Sequence, residues 1–286
     1  MQRIELTDPY DFLGLIKPPI PRPGVELYYL AQGDSWFSLG HVPPWETENL
    51  LVNIQAPRSA LAVNCARPGA ELTQMVNVVR NPLFGRLLLG NGERKWSAIL
   101  ISGLGNDVIA AVMSSPKSPP HKRILAVKTE WSRGSGIKRY ISEAGWKTFE
   151  TYARAIVDEL LSMRARSRYN SSTPIVMHTY DLATPRNSSA LLSGPWLYKA
   201  VRAFGVPEAD WKELSVELLG RVRALLESVV KNVPDIHLVQ TQGTLEPART
   251  ADKGETKDWK NEIHPSTVGY GKLAALWTQK LLDLSS

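Results

Sequence analysis

The feature of this sequence that most constrains its fold is the alternation of short apolar runs with long amphipathic segments. The short runs have the length and apolar character of buried strands, and they occupy residues 25–32, 59–65, 96–103, 173–180 and 235–241. Continuous apolar strands of this kind are typical of a parallel sheet that is covered on both faces. The intervening segments predict helices at residues 69–80, 82–89, 146–163, 211–229 and 267–282. Because strands and helices alternate along the chain, we expect a doubly wound α/β architecture.

Length and composition narrow the class of protein further. A chain of 286 residues suits one large α/β domain or two small ones, and it can bury a core without disulfides or metals. The single cysteine, Cys65, excludes an intramolecular disulfide framework and a Cys-rich zinc site, and it favours a reducing compartment. The net charge of +6 comes from scattered basic residues, so a nucleic-acid partner is not expected.

The first 24 residues differ in character from the rest of the chain. Four prolines lie between residues 18 and 23, and no continuous apolar stretch of signal-peptide length precedes them. We interpret residues 1–24 as an irregular, Pro-rich arm and residues 25–286 as one domain. No segment approaches the roughly 20 apolar residues of a membrane-spanning helix. We therefore expect no transmembrane segment and a cytoplasmic location, unless the protein is exported without a signal peptide.

Reactive side chains follow three of the predicted strands directly. In open α/β sheets the binding crevice lies beyond the carboxyl ends of the strands, so such residues are the candidates for a site. Gly33-Asp34-Ser35 follows the first strand, where a serine either projects its hydroxyl into the crevice or caps a helix. Gly69, after the second strand, either offers an N–H close to a ligand or simply turns the chain. Asn106, after the third strand, either donates its amide to an oxyanion or caps a helix.

A fourth candidate lies between the last strand and the last helix. His264 has acids nearby and is followed by Pro265, which fixes the turn. Histidine is the usual general base for a serine nucleophile because its ordinary pKa lies near neutrality. The other histidines are interpreted as structural: His41, His121, His178 and His237.

Taken in order, Gly33-Asp34-Ser35, Gly69, Asn106 and His264-Pro265 resemble the four consensus blocks of SGNH (GDSL-type) hydrolases. The resemblance runs over nearly the whole chain from residue 25 onwards. It implies a three-layer α/β/α, flavodoxin-like fold with a central parallel sheet of about five strands.

The resemblance also implies an activity and a set of roles. The activity is hydrolysis of carboxylic esters, as in an esterase or lipase, with no metal and no organic cofactor. Ser35 would be the nucleophile and His264 its base. The oxyanion hole would be formed by the N–H groups of Ser35 and Gly69 and by the amide of Asn106.

Two positions depart from the family pattern. Leu104 stands two residues before Asn106, where the family usually has glycine, and Asn261 stands three residues before His264, where it usually has the acid. An amide orients an imidazole but supplies no negative charge. We predict that Asp258 takes the role of the acid, with Glu262 or a backbone carbonyl as alternatives.

Several functions remain open at this stage. The expected substrate is a small-molecule or lipid ester, but the same residues would serve a sugar O-deacetylase or a thioesterase. Asn261 favours a catalytically silent binding module, which the retention of Ser35, Asn106 and His264 opposes. A nucleotide-binding Rossmann domain is disfavoured because residues 103–107 lack the required glycine spacing.

Loops between the predicted elements are the expected source of specificity. They comprise residues 112–137 and 181–197. The first is interpreted as either a flap over the site or a surface excursion, with the excursion favoured. The sequence does not indicate the oligomeric state.

Overall fold

A parallel sheet forms the centre of the computed structural model, which describes residues 1–19, 21–38, 49–77, 79–90, 94–190, 193–231 and 233–285. The strands of the described chain are β1 (Gln2–Arg3), β2 (Glu5–Thr7), β3 (Leu27–Gly33), β4 (Gln55–Ala56), β5 (Ala60–Asn64), β6 (Ala98–Ser102), β7 (Ile175–His178) and β8 (Ile236–Val239). Among the described residues, six strands form the sheet in the order β2-β5-β3-β6-β7-β8, and all of their pairings are parallel. The remaining two strands, β1 and β4, pair antiparallel with each other.

Helices flank this sheet. They are α1 (Pro9–Phe12), α2 (Ser35–Ser38), α3 (Leu50–Asn53), α4 (Leu72–Val76), α5 (Pro82–Leu89), α6 (Gly105–Val112), α7 (Glu143–Arg166), α8 (Leu197–Ala203), α9 (Trp211–Val230) and α10 (Thr267–Asp283). One group packs around α7, which contacts α4, α5 and α9, and another packs around α3, which contacts α2 and α10. The expected three-layer α/β/α architecture with a central parallel sheet is confirmed.

The core strands are apolar on both faces because both faces are covered. Every residue of β6 and β7 is buried, and β3 and β5 each have one partly exposed residue. Each of the five apolar runs of the sequence coincides with one of the strands β3, β5, β6, β7 and β8, although β3 extends one residue beyond its run, to Gly33. Burial on both faces is the physical reason that these runs are continuous rather than alternating.

The helix predictions differ in accuracy. Residues 82–89 form α5 as predicted, since Pro82 occupies the first turn and the side chain of Asn81 caps it. The predicted helix at residues 69–80 is shorter, and only Leu72–Val76 is helical among its described residues. The long helices α7, α9 and α10 cover the segments predicted from their amphipathic spacing.

Two expectations about the chain's periphery are corrected. The sheet has six strands rather than about five, because Glu5–Thr7 pairs in parallel with residues 61–63 of β5. The interpretation of residues 1–24 as irregular is therefore wrong for its first half, and Ile4 is buried in the core. A three-residue strand is too short to stand out in a sequence as a periodic pattern. The division of the chain at residue 24 stays a prediction.

The segment at residues 112–137 contains or overlaps three short 3-10 turns. They are Pro120–Lys122, Lys128–Arg133 and Gly136–Tyr140. The first turn packs against α7, and the Ser142 hydroxyl that precedes this helix donates to Pro120 O. The interpretation of the segment as a surface excursion stays a prediction.

Candidate active site

Ser35 begins α2 at the carboxyl end of β3, and its hydroxyl faces a histidine from the far end of the chain. Its Oγ lies 2.8 Å from Nε2 of His264. The two residues are separated by 229 positions in sequence. They meet because β3 lies in the middle of the sheet and His264 lies in the loop that precedes α10. The structure thus brings together the two residues that the sequence singled out as nucleophile and base.

Gly33 fits this turn because no side chain has room there. β3 and β6 pair so that Gly33 lies opposite Ser102. A Cβ atom at position 33 would lie 2.9 Å from both the Cβ and the carbonyl oxygen of Ser102. The close approach of the two strand ends therefore requires glycine immediately before the Asp34-Ser35 pair.

Asp34 fixes the backbone beside the nucleophile. Its own N–H donates to Ser102 O, and its Oδ1 accepts the N–H of Trp36 at 2.9 Å. The same carboxylate accepts the hydroxyls of Ser102 and Tyr180. Burial raises the pKa of Asp34 to about 6, although these hydrogen bonds act to lower it.

His178 belongs to the same buried network, as its structural interpretation suggested. Its Nε2 lies 3.0 Å from Ser102 Oγ, and its Nδ1 donates to Thr179 O at 3.0 Å. Burial lowers the pKa of His178 to about 4, so the ring is neutral at pH 7. Among the other histidines that were interpreted as structural, His41 lies outside the described residues.

Asn261, rather than an acid, orients the imidazole of His264. Nδ1 of the ring lies 3.0 Å from Oδ1 of Asn261. That oxygen also accepts the backbone N–H groups of Ile263 and His264, which identifies it as the carbonyl oxygen of the amide. Because this oxygen can only accept, Nδ1 must carry the ring proton, and the lone pair of Nε2 faces Ser35. This is the tautomer that a base for the serine hydroxyl needs.

The surroundings of His264 disfavour its charged form. The ring is buried, and desolvation lowers the pKa of His264 to about 4. An amide partner brings no negative charge that would raise it again. At neutral pH the imidazole is therefore unprotonated and able to accept a proton.

The structure does not bring Asp258 to the histidine, and this prediction is corrected. Its two carboxylate oxygens lie 2.8 and 2.6 Å from Nζ of Lys272 on α10. The backbone N–H of Glu246 donates to the same carboxylate at 2.7 Å. Asp258 is thus paired with a lysine and a backbone amide, and Asn261 occupies the place beside the imidazole because it is the residue at the start of the tight turn.

Glu262, the alternative acid, is also occupied elsewhere. Its carboxylate accepts backbone N–H groups from four residues of the 186–198 segment, namely Arg186, Trp196, Leu197 and Tyr198. Its side chain is fully buried. Burial raises the pKa of Glu262 to about 7, although these four donors act to lower it. Glu262 therefore fastens a neighbouring segment to the histidine loop.

Arg186 and Trp36 hold the histidine loop from two further directions. Nη2 of Arg186 donates to Asn261 O at 2.6 Å, and its Nη1 donates to Gly254 O at 2.6 Å. Nε1 of Trp36 donates to Ile263 O at 3.2 Å, which ties the nucleophile's helix to the residue before His264. Sequence reasoning missed both residues, because contacts over 75 or more positions leave no local signal.

Asn106 lines the same cavity as Ser35. Both residues line the pocket at the start of α6. Nδ2 of Asn106 donates one hydrogen to Ala70 O at 3.1 Å, and an amide nitrogen carries a second hydrogen. This bond connects Asn106 to the turn that contains Gly69, whose φ is +73°. The structure thus brings Asn106 to the nucleophile and to the Gly69 turn, while the roles of Asn106 and Gly69 remain predictions.

Leu104 adopts the backbone conformation that glycine would adopt more easily. Its φ is +87°, in the left-handed region, and its side chain is buried. For a residue with a Cβ this conformation costs roughly 1–2 kcal/mol. Leu104 thus takes a left-handed conformation directly before α6. The strained residue stands two positions before Asn106.

Neither a cluster of metal-ligating side chains nor a membrane-spanning helix is found in the described part of the chain. Within residues 1–19, 21–38, 49–77, 79–90, 94–190, 193–231 and 233–285, no three His, Cys, Asp or Glu side chains are grouped closely enough to hold a metal ion. Across the same residues, no helix combines the length and the apolar character needed to cross a membrane.

Comparison with known proteins gives similarity at the level of solved structures. No protein-family model matches the chain, and no curated protein matches it. A protein named as a platelet activating factor from Streptococcus pneumonia is 14% identical over 95% of this chain and 89% of its own, with a TM-score of 0.49. A protein named as a GDSL-like lipase from Parabacteroides merdae is 15% identical over 92% of this chain and 100% of its own, also with a TM-score of 0.49.

An acetylxylan esterase from Geobacillus stearothermophilus, Axe2, is similar as well. It is 14% identical over 90% of this chain and 95% of its own, with a TM-score of 0.44. Similarity at this level carries no information on the substrate, because one fold serves many functions. Function must therefore be argued from the residues of the site.

Proposed function

We propose that this protein hydrolyses carboxylic esters through an acyl-enzyme formed on Ser35. The observation that supports the proposal most strongly is the 2.8 Å contact between Ser35 Oγ and His264 Nε2, with Nδ1 of the same ring held by Asn261. A nucleophile, its base and a group that orients the base are the arrangement that acyl transfer by serine needs. Asn106, which lines the same cavity as Ser35, is the proposed side-chain donor for the oxyanion.

In the first half of the reaction, Ser35 Oγ attacks the ester carbonyl carbon, and its proton passes to Nε2 of His264. The carbonyl oxygen takes up the negative charge and accepts hydrogen bonds from Asn106 Nδ2 and from the N–H groups of Ser35 and Gly69. The bond to the alcohol oxygen then breaks, and that oxygen takes the proton from Nε2. The alcohol leaves, and the acyl group remains on Ser35.

In the second half, water attacks the acyl carbon and gives a proton to Nε2 of His264. The bond between the acyl carbon and Ser35 Oγ breaks, and Oγ takes the proton back. The carboxylic acid leaves, and the enzyme returns to its starting state. Every proton moves through one ring nitrogen, while the other stays bonded to Asn261.

The same site chemistry would serve a thioester or an O-acetylated sugar, since only the leaving group or the acyl length differs. A silent binding module is the alternative from another class, and the amide at position 261 is the observation that favours it. The tautomer that Asn261 imposes on His264 opposes it, because this tautomer directs an accepting nitrogen towards the hydroxyl.

Hydrolysis of nitrophenyl esters by matched variants tests the proposal. We expect the wild type to turn over these esters and Ser35→Ala to lose turnover at every chain length. Ser38→Ala, in the same short helix, should retain turnover and serves as the control for removal of a buried hydroxyl. If Ser35→Ala hydrolyses these esters at the wild-type rate, or if the wild type hydrolyses none, the proposal is wrong.

A further inference from the structure

A narrow apolar cavity extends from the nucleophile into the space between α6 and α9. Ser35 and Asn106 line it together with apolar side chains of both helices, and we call it the apolar slot. Its main apolar residues are Val108, Ile109, Val112, Leu218, Leu219 and Val222. The volume open to the centre of a water-sized sphere is about 50 Å³. A cavity this narrow has room for one slim chain rather than for a ring system.

The slot lies along α6 and α9, since its lining residues are spaced about one turn apart on each helix. On α6, Asn106, Ile109 and Val112 lie three residues apart and therefore share one face. On α9, Leu218 and Val222 are likewise one turn apart. With a rise of 1.5 Å per residue, the distance along α6 from Asn106 to Val112 is about 9 Å. The slot thus starts at the predicted oxyanion donor and runs about two helical turns away from it.

The polar groups in the wall of the slot are satisfied within the protein. The carboxylate of Asp181 accepts four backbone N–H groups, from Leu182, Gly243, Thr244 and Leu245. The hydroxyl of Ser215 donates to Ala183 O. A ligand inside the slot would therefore find few free polar partners, which disfavours a sugar and favours a hydrocarbon.

We infer that the apolar slot binds the acyl chain of the substrate, and that the substrates are esters of unbranched acids of about six to eight carbons. The inference rests on the proposed function, because the acyl carbonyl must lie between Ser35 Oγ and Asn106 Nδ2. From there, an acyl chain that runs along α6 has a length of about 9 Å available to it. An extended alkyl chain advances roughly 1.25 Å per carbon, given bonds of about 1.5 Å. About seven carbons beyond the carbonyl fill that length.

Burial in the slot predicts how rate depends on chain length. Each methylene group that leaves water for an apolar site gains roughly fourfold in affinity. We expect kcat/KM to rise about 250-fold from acetyl to hexanoyl esters, which differ by four methylene groups, and to fall again beyond octanoyl, when the slot is full. A sugar O-deacetylase would show the reverse preference, with acetyl esters fastest.

Two substitutions on α9 test the slot with a matched control. Val222 is buried in the wall, whereas Val216 on the same helix is exposed. We expect Val222→Phe to move the optimum to esters at least two carbons shorter. Val222→Ala should move the optimum to longer esters, and this variant does not depend on accommodating a larger side chain. Val216→Phe should keep the wild-type profile.

The inference is overturned if acetyl esters are the best substrates of the wild type, or if neither Val222 variant changes the chain-length profile. A binding measurement separates this outcome from failure of the proposed function. In Ser35→Ala, calorimetric titration should show octanoate binding at least tenfold more tightly than butanoate, with the difference lost on adding Val222→Phe. Equal binding of the two acids would count against the slot even if esters are hydrolysed. Length-dependent binding without any hydrolysis would contradict the proposed function alone.

Discussion

Nδ1 of His264 lies 3.0 Å from Oδ1 of Asn261, an amide oxygen at the position where the resemblance implies a carboxylate. The same oxygen accepts two backbone N–H groups of its own turn, so its position is fixed. An amide oxygen selects the tautomer of the imidazole as a carboxylate would, but it brings no negative charge. The ring is therefore oriented as a base, while Asn261 adds no negative charge that would stabilise its protonated form.

Asn261→Asp should move the pH dependence of ester hydrolysis to higher pH. In the wild type, burial lowers the pKa of His264 to about 4, and the neutral ring is the base. Activity should therefore rise with pH through about 4 and be constant above it. A carboxylate beside Nδ1 favours the charged ring and raises its pKa by roughly 1–3 units. The acid limb of kcat/KM should move up by that amount, with a roughly tenfold or larger gain in kcat above it, measured over pH 3–9.

Asp258→Asn is the control for that experiment. Asp258 is paired with Lys272 rather than with the imidazole, so its loss should leave the acid limb where it is. If the acid limb moves in Asp258→Asn and stays fixed in Asn261→Asp, the pKa of His264 depends on Asp258 rather than on residue 261. That result would contradict Asn261 as the orienting group.

Asn106→Ala should lower kcat far more than it changes KM. The amide is expected to bind the oxygen only when it carries negative charge, so its loss affects the transition state. Removing one such donor typically costs a factor of about 10²–10³ in kcat. Steady-state kinetics on a nitrophenyl ester measure the effect, and Asn106→Asp should be at least as slow because it places a negative charge beside the oxyanion. A kcat within threefold of wild type would remove Asn106 from the oxyanion hole.

Glu262→Gln should destabilise the histidine loop without removing a reacting group. The carboxylate accepts four backbone N–H groups, and the amide nitrogen of glutamine cannot accept any of them. Leaving buried donors unpaired costs about 1–3 kcal/mol in the free energy of unfolding, measured in urea. Glu255→Gln changes an exposed ion pair with Lys260 and should cost less than about 1 kcal/mol. Equal losses in the two variants would contradict the assigned role of Glu262.

Gly33→Ala should disturb the turn that presents Ser35. Its new Cβ would meet backbone and Cβ atoms of Ser102 at 2.9 Å, and neither belongs to a flexible side-chain end. We expect a loss of about 1–3 kcal/mol in the free energy of unfolding, as in other overpacked sites, together with slower ester hydrolysis. Gly271→Ala, in α10 with open space around its Cβ, should be neutral or slightly stabilising. Unchanged stability and activity in Gly33→Ala would mean that the strand ends are less tightly packed than described.

The sequence allowed the layered fold to be predicted because burial on both faces produces continuous apolar strands. It also pointed to Ser35, Asn106 and His264, since each directly follows a strand or precedes the last helix. The edge strand at Glu5–Thr7 escaped prediction because three residues carry too little periodicity. Its partner, β5, lies more than 50 positions away in the chain.

Asn261 was not predicted as the orienting group of His264, because the expectation of an acid favoured Asp258. The signal was present in the spacing, since Asn261 stands three residues before His264, where a tight turn brings side chain and ring together. Arg186 and Glu262 gave no such signal. Their partners lie 64 to 76 positions away, and only the folded chain brings them together.

Labelling by a fluorophosphonate tests the central claim most directly, because this reagent forms a bond to a serine oxygen only when a base has activated it. The proposed site predicts one label per chain, located on the peptide that contains Ser35. It also predicts no label in Ser35→Ala and slow labelling in His264→Ala. A wild-type protein that is folded yet unlabelled, or one labelled equally after Ser35→Ala, would contradict the assignment of Ser35 and His264 as nucleophile and base.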